Sequence, residues 1–168
     1  MMLLPLLLSI AAGQADGDLL APARQGMLRC ASPDRARKSC ATLTRFTFKP
    51  DGSFDAEVTG AGGPAGIQVH YRAPGTLVDG AACFTHQPNT LAEATFTKPG
   101  AKLAQSLQDS LRGQLTASMA PLNGRQRCYR DTPVGGALVS RTTLDGAAHP
   151  ELDRTVLWVR PEDGYKVE

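Results

Sequence analysis

Hydrophobic and polar positions alternate along most of the chain with the period of short strands, and only one long stretch takes the period of a helix. Thr44, Phe46 and Phe48 alternate with Arg45, Thr47 and Lys49, and Phe54, Ala56 and Val58 alternate with Asp55 and Glu57. Both runs read as strands with one buried face. Between them, Lys49-Pro50-Asp51-Gly52 suits a type I turn, with Pro in the second position and Gly available for a left-handed residue. The resulting bulged three-residue loop sets Phe48 opposite Phe54, Phe46 opposite Ala56 and Arg45 opposite Glu57. A two-residue loop would mix the faces. Further strands are predicted over 67–72, with Ile67, Val69 and Tyr71 on one face, over 76–78, around Cys83 and Phe84, over 91–96, around Cys128 and over 137–144. A last hairpin, 155–160 with 165–167, would place Trp158 opposite Val167.

The helical period runs over 98–119. At 100° per residue, Leu103, Leu107, Leu111, Leu115 and Met119, with Ala101 and Ala104, share an arc of about 160°. Thr97 or Lys98 would cap this helix, Pro99 suits its first turn, and Pro121 with Asn123-Gly124 would end it. The predicted fold class is α+β: a twisted antiparallel sheet of about five to seven strands, with the helix over about 98–120 packed across one face. Trp158 would lie in the core beneath it.

The N-terminal fifteen residues change the picture of where such a domain works. An apolar run from Leu3 to Ile10, followed by small residues, has the form of a secretory signal peptide, although no Lys or Arg precedes it. It is too short to span a bilayer, and no later stretch approaches that length. The expected organisation is a signal peptide over 1–15, a loose lead-in over 16–29 and one domain over 30–168. Cleavage after residue 15 leaves 168 − 15 = 153 residues, the size of one ordinary domain. The expected location is periplasmic or secreted, with no transmembrane span after cleavage; an uncleaved N-terminal anchor is the alternative.

Four cysteines in an exported chain favour two disulfides. The preferred pairing is Cys30 with Cys40, closing a loop too polar to be ordered by packing, and Cys83 with Cys128. On a loop-entropy argument these closures contribute roughly 3 and 4 kcal/mol.

Charge narrows the partners. The formal excess of +2 is too small for a dedicated nucleic-acid binder. Locally, seven cationic side chains between Arg24 and Lys49, Arg35, Arg37 and Lys38 among them, face Asp34 alone. A solvated face is the commoner meaning of such a run; the sharper one is contact with an anionic envelope component or protein. Arg125, Arg127 and Arg130 around Cys128 could likewise form a small anion pocket, set against exposed arginines beside a disulfide.

Catalytic patterns are sparse. Cys83-Phe84-Thr85-His86 has a zinc-like spacing but no second close pair, so no metal is expected. Five of the eleven aspartates precede glycine, where turn chemistry accounts for them. The 60–66 loop, Gly-rich but without Lys, Ser or Thr, makes no phosphate cradle, and no cofactor is implied. The sequence supports an exported, non-enzymatic domain with a binding or structural role in the bacterial cell envelope. The alternatives are a small hydrolase whose dispersed site includes His86, and a secreted inhibitor acting through the 60–66 or 30–40 loop. An apolar cavity would favour a small-ligand carrier instead. Thiol titration of the denatured protein should find no free cysteine; four free thiols would refute the export-and-disulfide reading.

Overall fold

The computed structural model describes residues 18–64 and 66–168; the expected signal peptide lies outside them. A short helix, α1 (Ala21–Arg24), leads into strands β1 (Leu28–Ala31), β2 (Ser39–Cys40), β3 (Thr42–Phe48), β4 (Phe54–Ala61), β5 (Gln68–Val78), β6 (Ala81–Thr85) and β7 (Thr95–Thr97). The second helix, α2 (Gln105–Met119), is followed by β8 (Gln126–Val134), β9 (Ala137–Leu144), β10 (Ala147–Ala148), β11 (Arg154–Val159) and β12 (Lys166–Val167). The expected lead-in thus contains α1 and the start of β1.

Eight of these strands, β1, β3, β4, β5, β6, β8, β9 and β11, each pair antiparallel with the next in chain order. β11 then returns to pair with β1, so the sheet has no open seam. This is a closed eight-stranded up-and-down barrel. It overturns the expected α+β arrangement of one long helix on an open sheet. The reason lies in the pattern of β8, β9, β11 and β1. Their inward positions carry Arg127, Tyr129, Asp131, Ser140, Thr142, Arg154 and Arg29, which read in sequence as a solvated face.

The first hairpin has the predicted register, with Phe48 opposite Phe54, Phe46 opposite Ala56 and Arg45 opposite Glu57. Gly52 takes the left-handed conformation at φ +84° that closes the turn. The β5–β6 turn, Asp79-Gly80, and the β8–β9 turn, Gly135-Gly136, have positive φ at both residues. This is the two-residue hairpin geometry whose twist suits a barrel.

The helix is shorter than predicted. Pro99-Gly100 forms a turn, with Gly100 at φ +73° and Lys98 bridged to Ala101. Neither Thr97 nor Lys98 therefore serves as a cap, and α2 begins only after Ala104. Leu111 is its one buried residue, while Leu107 is 41 % exposed. α2 packs not across a sheet face but near one end of the barrel, where Leu103, Leu111, Leu115 and Met119 meet Ile67, Val69, Leu91 and Phe96.

Trp158 also differs from expectation. It sits opposite Arg29 on the inner face of β11, with its ring 6.1 Å from Phe46. A 3-10 turn at Pro161–Asp163 carries the chain away from β11, and Val167 pairs in parallel with Cys40 instead. This C-terminal flap covers an outer patch in which Cys30, Cys40 and Val159 are buried beside Leu43, Leu157 and Tyr165.

The other end of the barrel is plugged. Leu20 and Ala23 from α1 and its approach pack with Phe54, Ala56 and Ala82, flanked by Phe46, Phe48, Phe84 and Trp158. Phe54 is fully buried, with Phe46 and Phe84 ring centroids each 5.4 Å away. Gly75 makes room for it: a Cβ at that position would lie 2.5 Å from the Phe54 ring. Both disulfides are formed, Cys30–Cys40 and Cys83–Cys128, the latter across directly opposed residues of β6 and β8.

Phe54→Ala should lower stability by about 3–5 kcal/mol in urea unfolding, and Gly75→Ala by about 1–3 kcal/mol. In the double variant the Gly75 penalty should shrink to what the Cys83 carbonyl, 2.9 Å from the added Cβ, still imposes, because the ring it strikes is gone. Simple additivity would show that the close approach is not the cause.

Candidate ligand-binding lumen

Alternation inside a closed barrel sends every second side chain into one shared space. Here that space is not filled. A cavity of about 280 Å³ runs from Leu19 and Leu20 at the plugged end to Thr85, His86, Met119, Leu122 and Leu152 at the other. An eight-stranded barrel is just wide enough to be packed solid or to hold one small ligand, and this volume lies near the lower end of the ~300–1,000 Å³ usual for ligand sites.

The lining has two characters. β3 to β6 supply an apolar wall of Phe46, Ala56, Val58, Ala73, Ala82 and Phe84. β8, β9, β11 and β1 supply a polar wall of Arg127, Tyr129, Ser140, Thr142, Arg154 and Arg29. The register across the closing strands puts these polar residues level with one another. Arg127 opposes Leu144, Tyr129 opposes Thr142, and Asp131 opposes Ser140.

Two of the three central charges cancel. Arg29 donates from Nη2 to Asp131 Oδ1 at 2.9 Å and from Nε to Oδ2 at 3.2 Å, and Nη2 also reaches Ser140 Oγ at 2.7 Å. The side chains of this pair are 12 % and 2 % exposed, so it is a buried, doubly bonded ion pair. Removing either partner would strand a charge in the barrel wall.

Arg127 is placed differently. Its guanidinium carbon lies 4.8 Å from the Tyr129 ring centroid, a cation–π stack. Its Nε is buried without a hydrogen-bond partner among the described residues. The side chain as a whole is half-exposed and lines the cavity, and no carboxylate pairs with its guanidinium among the described residues. The neighbouring acid on its strand, Asp131, is committed to Arg29. Asp131 therefore does not balance Arg127; of the other lining arginines, Arg125 pairs with Asp145, while the exposed Arg154 donates to the Glu151 and Asp153 carbonyls.

Tyr71 completes the polar site from the apolar side. Burial, reinforced by the nearby Tyr129 and only partly opposed by Arg127, pushes its phenol up to about 12. It is a neutral O–H donor at every ordinary pH. At the far end, burial lowers the His86 pKa, favouring the uncharged ring.

The other basic candidates lie elsewhere. Arg37 pairs with Asp34 and Glu168, Lys38 donates to the Asp163 carbonyl, and Arg35 is exposed near them. Arg125 bonds Asp145 at 2.8 Å, and Arg130 donates to the Asp79 carbonyl. Of the arginine trio around Cys128, Arg125 lines the cavity at its far end, Arg127 is the next inward position along β8, and the exposed Arg130 lines neither part. His70 is held by the hydroxyls of Thr59 and Thr97, and His149 pairs with Glu151 at 2.7 Å. His86 lines the cavity's far end, so the three histidines are not brought together.

Sequence reasoning gave no site role to Tyr71, Tyr129 and Asp131, and counted Arg29 only within the basic run from Arg24 to Lys49. One signal for part of this set was present. If Cys83 and Cys128 are directly paired, their side chains share one face, and the residues beside them share the other. Phe84, apolar and inward, then requires Arg127 and Tyr129 to point inward too.

The chain matches no protein-family model, no curated protein and no solved structure with which it was compared. The lumen's meaning rests on its own chemistry.

The Tyr71 shift has a definite sign. Its folded-state pKa lies above the ordinary 10.0, so the stability it confers is complete below pH 10 and is lost as pH rises from 10 to 12. Ultraviolet titration should show one tyrosine ionising near pH 12, absent in Tyr71→Phe. Three tyrosines titrating together near 10 would contradict its burial.

Proposed function

We propose that this protein binds one small amphipathic molecule in its barrel lumen, and that it does so as an exported carrier or sensor in the bacterial cell envelope rather than as a catalyst. The observation that carries the reading is the unfilled lumen, with an apolar wall on one side and, on the other, a half-buried arginine that no carboxylate pairs with among the described residues. An apolar wall gives a ligand hydrophobic contact, while a few placed polar groups fix its orientation; together these are the composition of a binding pocket. A domain selected only for stability gains by filling such a space, since empty core volume is destabilising.

Export is supported by the N-terminal apolar run and by two disulfides, which persist in oxidising compartments. Among the described residues no helix is long and apolar enough to cross a membrane.

The test uses two probes of equal chain length, sodium octanoate and 1-octanol, titrated calorimetrically into the protein. At least one should bind with one-to-one stoichiometry. Ala73→Phe, which places a ring in the lumen from the apolar wall, should abolish that binding while near-ultraviolet circular dichroism stays native. If neither probe binds the wild type, or if the filled variant binds as well, the lumen is not a ligand site.

A further inference from the structure

We infer that the lumen selects an organic acid, a carboxylate on a compact apolar body, with Arg127 as the residue that takes its head. This rests on the ligand-binding reading above and adds the charge, polarity and orientation of the ligand.

The argument begins with what the protein has left uncompensated. Arg29 and Asp131 satisfy each other and leave no net charge. Arg127 adds a positive charge on a half-exposed side chain that lines the cavity. Placing a bare cation in a barrel wall is costly unless something returns the lost hydration. The π-face of Tyr129 returns part of it, but a ring cannot accept an in-plane N–H···O bond. A carboxylate can, and its two oxygens match the guanidinium fork. An anionic head would meet the positive charge of Arg127, and a cation would be repelled by it.

The uncharged polar groups support the same occupant. Tyr71 holds its proton well beyond physiological pH, so it donates to an acceptor and never competes as an anion. Ser140 and Thr142 stand on the strand opposite Arg127 and Tyr129, with hydroxyls at the same wall. No group in this set needs to change protonation state for an anion to bind.

The rest of the lumen fixes the body of the ligand. Beside Arg127 on the adjoining strand lies Phe84, and further round the wall lie Phe46, Ala56, Val58 and Ala73, without a charge among them. Alanines at three of the β4–β6 inner positions, Ala56, Ala73 and Ala82, create the space, and the aromatic plug closes its end. The head is therefore held on the β8 side and the apolar body lies against β3 to β6. With about 280 Å³ to fill, the ligand is a medium-chain or single-ring acid rather than a long lipid.

Arg127 also contributes a trade-off that a purely structural arginine would not. Replacing it with Met removes a half-buried, partly unsatisfied charge and keeps the stem's volume, so the empty protein should melt at the same temperature or higher. Ligand recognition should fall at the same time.

The experiment compares octanoate, 1-octanol and octylammonium on the wild type, Arg127→Met and Arg127→Lys. The wild type should prefer octanoate to octanol and exclude octylammonium. Arg127→Met should weaken octanoate by roughly tenfold or more while leaving octanol unchanged or tighter. Arg127→Lys, which keeps the charge but loses the fork, should fall between, and it answers the question if the Met variant fails to fold. Octanol binding as well as octanoate, or octanoate binding unaffected by both substitutions, would overturn the assignment of Arg127 while leaving the lumen a ligand site. Binding of none of the probes to the wild type would instead remove the underlying reading.

Discussion

The ion pair between Arg29 and Asp131 joins the two ends of the barrel's construction. Arg29 stands on the first strand of the ring and Asp131 on the sixth, with β9 and β11 lying between them around the wall. A salt bridge so enclosed gives little net stability over a well-packed apolar pair, but it is unforgiving of misplacement, because either charge alone would be stranded. It therefore ties the closing register to the chemistry of the lumen. Only when β11 lies between β9 and β1 in the observed register do Arg29, Asp131 and Ser140 meet. The same commitment of Asp131 leaves Arg127 without an acid on its own strand.

The division of the lumen into unlike halves follows from the order of strands. The hairpins from β3 to β6 are apolar inside and polar outside, as a half-buried sheet requires. β8, β9, β11 and β1 place charged and hydroxyl groups inside, while the outer faces of β1 and β11, with Leu43 of the adjoining β3, carry the Cys30, Leu157 and Val159 patch covered by the C-terminal flap. A wall with polar groups on its inner side is unfavourable in a solid core and useful around a ligand. The molecule is thus built as a core on one side and a recognition surface on the other, with the ligand as the layer between.

What could be read from the chain reflects this division. The β3–β4 hairpin, its turn and its register were legible because hydrophobic alternation and the Pro50-Asp51-Gly52 sequence point the same way. The cysteine partners were legible from loop polarity and spacing. The barrel was not, because Arg127, Tyr129, Asp131, Ser140 and Thr142 look like solvent-facing residues unless one knows that the sheet closes around them. The helix was overread for a related reason: Leu103, Leu111, Leu115 and Met119 do share a face, but they pack on a barrel end, and Pro99-Gly100 turns the chain before any helix begins. Trp158 was rightly expected to find cover and wrongly given its neighbour, since a 3-10 turn sends β12 to β2. For the site, Arg127 was among the candidates for anion contact, but its partners come from strands distant in sequence and no local pattern names them.

The seam between β1 and β11 has a kinetic side. It joins Leu28–Ala31 to strand residues 156–159, nearly the full length of the described chain. Contacts so remote in sequence require a large loop to close before they give anything back, which slows folding relative to a chain of local contacts. Until the last strand arrives, the growing meander keeps a free edge at each end and an unsealed interior. The cavity is therefore enclosed only once this most remote of pairings has sealed the wall.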